Sequence, residues 1–492
     1  MEPRFRLKTH GDQEIELNVA YPIPADNGES ICEWDWYVFT PPQLQIIEPR
    51  YTVARFFNNL QQYVRYAPYS LSLEAMVDGA CDLSPLARIR TYLAPGKLTK
   101  DIDTKSVIYE LRVMVNACHE HLGRSRDLIK TQVDADHAIT AIAQPLEKLL
   151  DDITRFRIAV RELHPLFFEP RVAPLLREGF AWADETISLK TEKELFRLHA
   201  ILAPREDASA LCGRLLSMLE EERAHRMSHQ YPSIVLPGRP DLAEQFIYRE
   251  SMLKKWAQTA MYMTTEETRI IPRIVHAVAG FAAAAAMAFA VGATILTQQV
   301  YGQFTLPWAI LVVIAYIFKD RLKEMIRQWM IAYVPKLVAD DIRHLVDPLS
   351  GARVGSIKSR VRFTTPEELP EDIVRKRKLS HNPFHSILPQ EDVIHFHKKL
   401  TLDCPRLMQC HKRLENVEEI VRLHLGSWFT KMDKPHNRIS FIQDGSAGVI
   451  TGTRVYHINV VLKLERLHPE PACVLEAYRV VLCRDGILRV EP

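Results

Sequence analysis

IVHAVAGFAAAAAMAFAVGATILTQQVYGQFTLPWAILVVIAYIF, residues 274–318, contains no Asp, Glu, Lys or Arg, although those four types make up 25% of the chain. A bilayer core of about 30 Å takes roughly 20 apolar residues per helix. The stretch divides into 274–296 and 304–318 around the polar 297–303, which suits a turn. The expectation is a two-helix transmembrane hairpin within 266–325. At about 1.5 Å per residue the second segment rises only about 22 Å. A full crossing therefore borrows length from Val300 and Tyr301, or lets Lys319 and Arg321 snorkel to the headgroups. A re-entrant hairpin is the alternative. Pro307 fits a first helical turn. Trp308 and Tyr301 fit an aromatic belt, so Trp308, Tyr301, Lys319 and Arg321 are the expected interface residues. Gly280, Ala284, Ala288 and Gly292 recur every four residues, a spacing that lets helices approach closely in lipid, either within the hairpin or between two copies. An alanine-rich helical pair buried in a soluble protein is the competing reading.

Outward from this stretch, the flanks decide orientation. Lys254, Lys255, Arg269 and Arg273 precede it, Lys319, Arg321, Lys323, Arg327 and Lys336 follow, and the turn has no basic residue. Basic residues in short flanks stay on the cytoplasmic side. Both termini are expected in the cytoplasm, of an integral plasma-membrane or inner-membrane protein if the source is bacterial. Residues 1–17 are polar, without the apolar core of a signal peptide. Eight cysteines in 492 residues, without dense spacing, suit reduced thiols. A formal net charge of +2 carries no nucleic-acid signal.

The remaining mass is large enough for several cores. Phe5 and Leu7, then Ile15, Leu17 and Val19, then Trp34, Trp36 and Val38 alternate with polar residues, predicting a small antiparallel sheet within 1–50. Thr52 is a fitting cap for a helix through Tyr66. Residues 51–265 read as a cytoplasmic helical bundle. Ile108 to Ile129 and Ile139 to Leu163 carry narrow stripes suited to an antiparallel pair, a further helix covers 208–227, and one beginning near Pro240 can run into the first apolar segment. An amphipathic helix is expected over 326–350. Residues 351–492 read as an α+β domain, with strands around Ile357, Ile394 and Tyr456, a helix over 417–430, and a terminal hairpin turned at Asp485-Gly486. The fold class is thus a membrane-anchored α+β protein: small sheet, helical bundle, two-helix hairpin, C-terminal α+β domain.

Chemistry is thinly signalled. His381, His385, His395, His397, Cys404, Cys410 and His411 form the densest group of zinc-type donors. His395 and His397 share one face of a strand, yet the spacing matches no zinc-finger pattern. Asp444, Gly445, Ser446, Gly448, Gly452 and Thr453 resemble a phosphate cradle only loosely, because the lysine and the following helix of a P-loop are missing; a long hairpin is the better reading. The basic run 375–378 suits anionic headgroups or a solvated turn. Three functions remain: a scaffold or regulatory protein that binds protein partners, or itself, at the bilayer surface; a membrane-surface enzyme with a His/Cys zinc site; and a subunit of an oligomeric channel or transporter. Two uncharged helices offer little to select a polar substrate, so the scaffold reading leads.

Overall fold

Alternation beginning at Phe5 gives, in the computed structural model, β1 (Arg4–His10), β2 (Glu14–Pro22) and β3 (Glu29–Thr40). The Thr52 side chain accepts from the Arg55 N–H at 3.3 Å and caps α1 (Val53–Asn58). That helix stops early, and β4 (Leu60–Tyr66) occupies the rest of the expected helix. Leu60, Val64 and Tyr66 turn inward on alternate positions, so a period of two wins once a sheet edge is there to bury them. The helical region follows as α2 (Leu73–Val77), α3 (Pro85–Tyr92), α4 (Thr104–Asp134), α5 (Ile139–Arg161), α6 (His164–Phe167), α7 (Pro174–Leu202), α8 (Ser209–Ser228) and α9 (Pro240–Gln258). Next come β5 (Thr264–Glu267), α10 (Ile270–Tyr301), α11 (Leu306–Leu337), β6 (Asp341–Val346), β7 (Arg353–Thr364) and α12 (Glu371–Lys378). The chain closes with β8 (Asp392–Asp403), α13 (Cys404–Cys410), β9 (Asn416–His424), α14 (Gly426–Phe429), β10 (His436–Gln443), β11 (Ser446–Thr453), β12 (Tyr456–His468), β13 (Ala472–Cys483) and β14 (Gly486–Glu491). The structure describes residues 4–23, 28–67, 69–79, 81–94, 104–235, 238–267, 270–302, 305–337, 339–378, 390–411, 413–468 and 471–492.

The fold is mixed α+β, and the two ends of the chain share its sheets. β1 and β2 form the expected antiparallel pair but continue into β9 and β4, giving the order β1-β2-β9-β4. The expected helix over 417–430 is therefore β9 up to His424, whose Val417, Val421 and Leu423 are buried, and only its last turn is helical, as α14. β3 leaves its sequence neighbours and becomes an inner strand of an eight-stranded sheet, β14-β13-β12-β3-β8-β7-β6-β5. A single apolar core lies between the sheets and includes Leu17, Trp34, Trp36, Phe396, Val421, Leu423 and Val460.

The bundle has a core of its own, built from α2 to α9. α4 packs most extensively on α7 rather than on α5. α7 is hard to see in the sequence because it buries Asp184, Glu185, Thr186, Ser188, Thr191 and Glu194 beside its apolar residues. Its carboxylates meet basic partners: Glu194 takes Arg126 at 2.5 Å and Glu185 takes Arg249 at 2.7 Å. Ion pairs thus replace the clean stripe that marks an ordinary amphipathic helix.

α9 ends at Gln258 and does not run into α10, because β5 intervenes. α11 continues unbroken to Leu337, and 341–346 is β6 rather than a continuation of the expected 326–350 helix. β5 and β6 are hydrogen-bonded neighbours, with Glu267 opposite Arg343. The pair α10 and α11 is therefore an insertion between the edge strand β5 and its inner neighbour β6. Among the described residues one helix is long and apolar enough to cross a membrane, Ala277–Tyr301, with mean hydropathy 2.0 and 22% of its apolar window buried. A core helix of a soluble protein is mostly buried.

Candidate functional site

β3 and β8 run antiparallel with Asp35 opposite His397 and Tyr37 opposite His395. Trp34, Trp36, Ile394 and Phe396 take the inward positions, so Asp35, His395 and His397 fall together on the outer face. His395 Nε2 lies 2.6 Å and His397 Nδ1 2.9 Å from the same oxygen, Asp35 Oδ1. Tyr37 stacks on His395 with centroids 4.4 Å apart. Burial pushes the Asp35 carboxyl up, but hydrogen bonds from both histidines outweigh it and hold the group at about 2. The hydrogen bond to Asp35 raises the His397 imidazole against its own burial.

One carboxylate oxygen and two imidazole nitrogens lie here within 4.8 Å of one another. That is the donor set of an open zinc site or of a two-His-one-carboxylate iron site. A bound cation would displace the protons now shared with Asp35, so its affinity would rise with pH. Arg360, opposite His397 on β7, works against a cation. Asp35 has no metal motif around it in sequence. Its signal is the outward phase of the Trp34-Asp35-Trp36 alternation, which acquires meaning once β3 is paired with β8.

The seven-residue His/Cys constellation does not assemble into one site. Cys404 is fully buried in the sandwich core, where burial pushes its thiol up to about 11. The Cys410 side chain, His381 and His385 lie outside the described residues. His411 belongs to a separate buried network at the junction of sheet unit and bundle. Its Nε2 is 2.6 Å from Asp347 Oδ1 and its Nδ1 2.7 Å from the Tyr109 hydroxyl on α4, which is itself 2.7 Å from the Tyr69 hydroxyl. Tyr66 donates to Asp347 at 2.7 Å, and Ser350 donates to it through N–H and hydroxyl at 2.7 and 2.8 Å. With each donor matched, this is a structural latch of the kind buried polar groups require. A second buried pair escaped sequence reading because its partners are on different sheets. Lys398 donates to Glu419 and Gln62 inside the sandwich, and Tyr21 donates to Glu419 at 2.6 Å.

The small-residue stripe is not the seam within the helical pair, the first of its two expected roles; contact between two copies is the other. α10 turns Val278, Ala282, Ala286 and Ala290 into buried positions, while Gly280, Ala284 and Ala288 are exposed, Gly292 is half-buried, and a methyl added at Gly280 or Gly292 would meet nothing within 4 Å. Tyr301 ends α10, Trp308 lies in the first turn of α11, and Lys319 and Arg321 lie at mid-helix. The Lys319 ammonium sits 3.6 Å from the Tyr316 ring centroid. The glycine cluster is the β10–β11 hairpin, and what precedes it is a strand rather than a phosphate-binding turn.

Comparison with protein-family models, with curated proteins and with solved structures finds no match to this chain.

Proposed function

We propose that this chain is a two-pass membrane-anchored scaffold, with its sheet unit and bundle held on the cytoplasmic side of a bilayer. The observation that carries the reading is the insertion of α10 and α11 between the hydrogen-bonded strands β5 and β6. Pairing of β5 with β6 keeps both ends of the insertion on one side, as the basic flanks require. The exposed apolar surface of Phe281, Phe289, Ile295, Ile310, Val313 and Phe318 suits lipid and is costly in water. Lys319 lies about 20 Å along α11 from Leu306, so local thinning or snorkelling makes up the missing length.

The interaction role is supported by a cleft of about 660 Å³ between α7, α8 and α9, with Phe196, Leu216, Ile234 and Val235 in its walls and Arg197 and Glu250 among its charged lining residues. Phe196 and Val235 are exposed. An apolar groove with charges of both signs suits the amphipathic helix of a protein partner. Two measurements test the reading. Gly302→Cys in sealed vesicles gains labelling by an impermeant maleimide only from the far side if the pair crosses; gain from the cytoplasmic side alone sinks the two-pass topology. Val235→Asp removes partner protein that co-purifies with the detergent-solubilised chain; unchanged co-purification sinks the groove.

A second reading is favoured by the Asp35, His395 and His397 geometry: a zinc-binding membrane-surface protein, with Asp35 Oδ1 and the two imidazole nitrogens as ligands. Elemental analysis of the purified chain at neutral pH tests it. Near-stoichiometric zinc lost in His395→Ala supports the site, and background zinc in both proteins removes it.

A further inference from the structure

The β10–β11 hairpin is a two-stranded sheet of its own and packs extensively on no other element among the described residues. Such ribbons are marginal in water, and this one owes its shape to local chemistry. Asp444 and Gly445 both hold positive φ, 52° and 76°, as a tight two-residue turn requires. Gly448 leaves room for its cross-strand partner and Gly452 for a diagonal neighbour: an added methyl would come within 2.6 Å of the Phe441 ring and 2.8 Å of Ile439. Phe441 and Ile439 therefore lie flat over the glycines, and Ile450 shares their face. Ile442 and Val449 lie on the other face, and Ile442 is 83% exposed. Both faces of the arm thus carry large apolar side chains open to solvent, concentrated toward its tip, a condition that marks a contact surface.

Register tells where the arm stands. β5 runs from Thr264, opposite Val346, to Glu267, opposite Arg343, while β6 pairs Arg343 with Ile357 of β7. The chain therefore enters α10 heading toward the Thr364 end of β7. Thr364 pairs with Val393, Val393 with Phe39, and Phe39 with Asn459 near the start of β12. The arm precedes β12 directly, and Arg454 N–H to Pro435 carbonyl, 2.6 Å, closes its root. By register, arm and apolar helices leave the sheet at the same end. The root also carries Lys431, Lys434, Arg438 and Arg454 against Asp433, with Asp444 at the tip.

We infer that the β10–β11 arm is a second membrane contact, its apolar tip entering the anionic bilayer surface beside the helical pair. It rests on the membrane reading above. Apolar side chains at a tip with basic residues at its root are what an interfacial element presents to acidic lipid. The arm then fixes the tilt of the sheet unit over the bilayer, which a helical pair alone leaves free.

The test uses the full chain in vesicles of phosphatidylcholine and phosphatidylglycerol, with a photo-crosslinking phenylalanine analogue placed at Ile442, at Phe289 of α10 or at exposed Lys358 of β7. Lipid adducts at 442 and 289 but not at 358 are expected. Arg438→Gln should cut the 442 adduct by about fivefold, the equivalent of one basic residue near an acidic surface. Adducts at 289 with position 442 unreacted, or crosslinked to a second copy, overturn the arm and leave the helices in the bilayer. An absence of adducts at 289 instead removes the anchor, and position 442 still reports separately whether the arm meets lipid.

Discussion

Asp35 and its two histidines give the chain a local pH dependence whose sign follows from the shifts. Asp35 is held down to about 2, so its contribution is fully present above the ordinary carboxylate value of about 4 and is lost as pH falls toward 2. His397 is held up, so its contribution is fully present below the ordinary imidazole value of about 6.5 and is lost as pH rises through the raised value. The thermal midpoint of Asp35→Asn in detergent should trail the parent most between about pH 4 and about pH 6.5, with the gap narrowing on both sides; a gap that persists unchanged to pH 9 contradicts the assignment. Lys398 and Glu419 behave differently, being fully buried. Burial pushes the Lys398 ammonium down, and Glu419 opposes that shift. Lys398→Met alone leaves an uncompensated carboxylate and should cost about 3–5 kcal/mol. Adding Glu419→Leu and Tyr21→Phe should recover most of the loss in chemical denaturation, because an apolar substitute needs no partner. A triple variant as unstable as the single one would show that the pair contributes more than mutual compensation.

At the scale of elements, the helical insertion is where pattern and packing part company. The apolar stretch fixes that two long helices form, since each of α10 and α11 runs 32 residues. It does not fix which face of α10 meets α11, because alanine stands on every side of that helix and the Gly280 stripe is only one of several faces of small residues. The buried face holds Ala286, with Ala284 on the exposed side. Ala286→Leu should therefore overpack the pair and cost about 1–3 kcal/mol, read as a lower thermal midpoint in detergent, while Ala284→Leu should leave it unchanged. The reverse order would restore the Gly280 stripe as the internal seam. β4 and β9 teach a related lesson: each lies where a helix is expected, and each alternates well enough to be a strand only when a neighbouring strand supplies the hydrogen bonds.

For the whole molecule, insertion between the paired strands β5 and β6 carries a direct consequence. Residues 268–340 can be exchanged for a short Asn-Gly turn, because Glu267 and Arg343 are already cross-strand partners. The shortened chain should be soluble without detergent and unfold cooperatively; a product that aggregates or lacks a cooperative transition shows that the helices are part of the core. By itself the sequence determined the apolar helix α10, the N-terminal alternation, the helical character of 104–228, the Thr52 cap and the terminal hairpin, all of which are local and are set by side-chain period and turn chemistry. Only the tertiary structure decided that β3 sits inside the C-terminal sheet, that α7 is the polar centre of the bundle, that Asp35 meets His395 and His397, and that His411 latches onto Tyr109. The Asp35–His395 and Tyr109–His411 contacts join residues 360 and 302 positions apart, α7 has no stripe to announce it, and a period read within one segment carries no information about which distant segment will cover it.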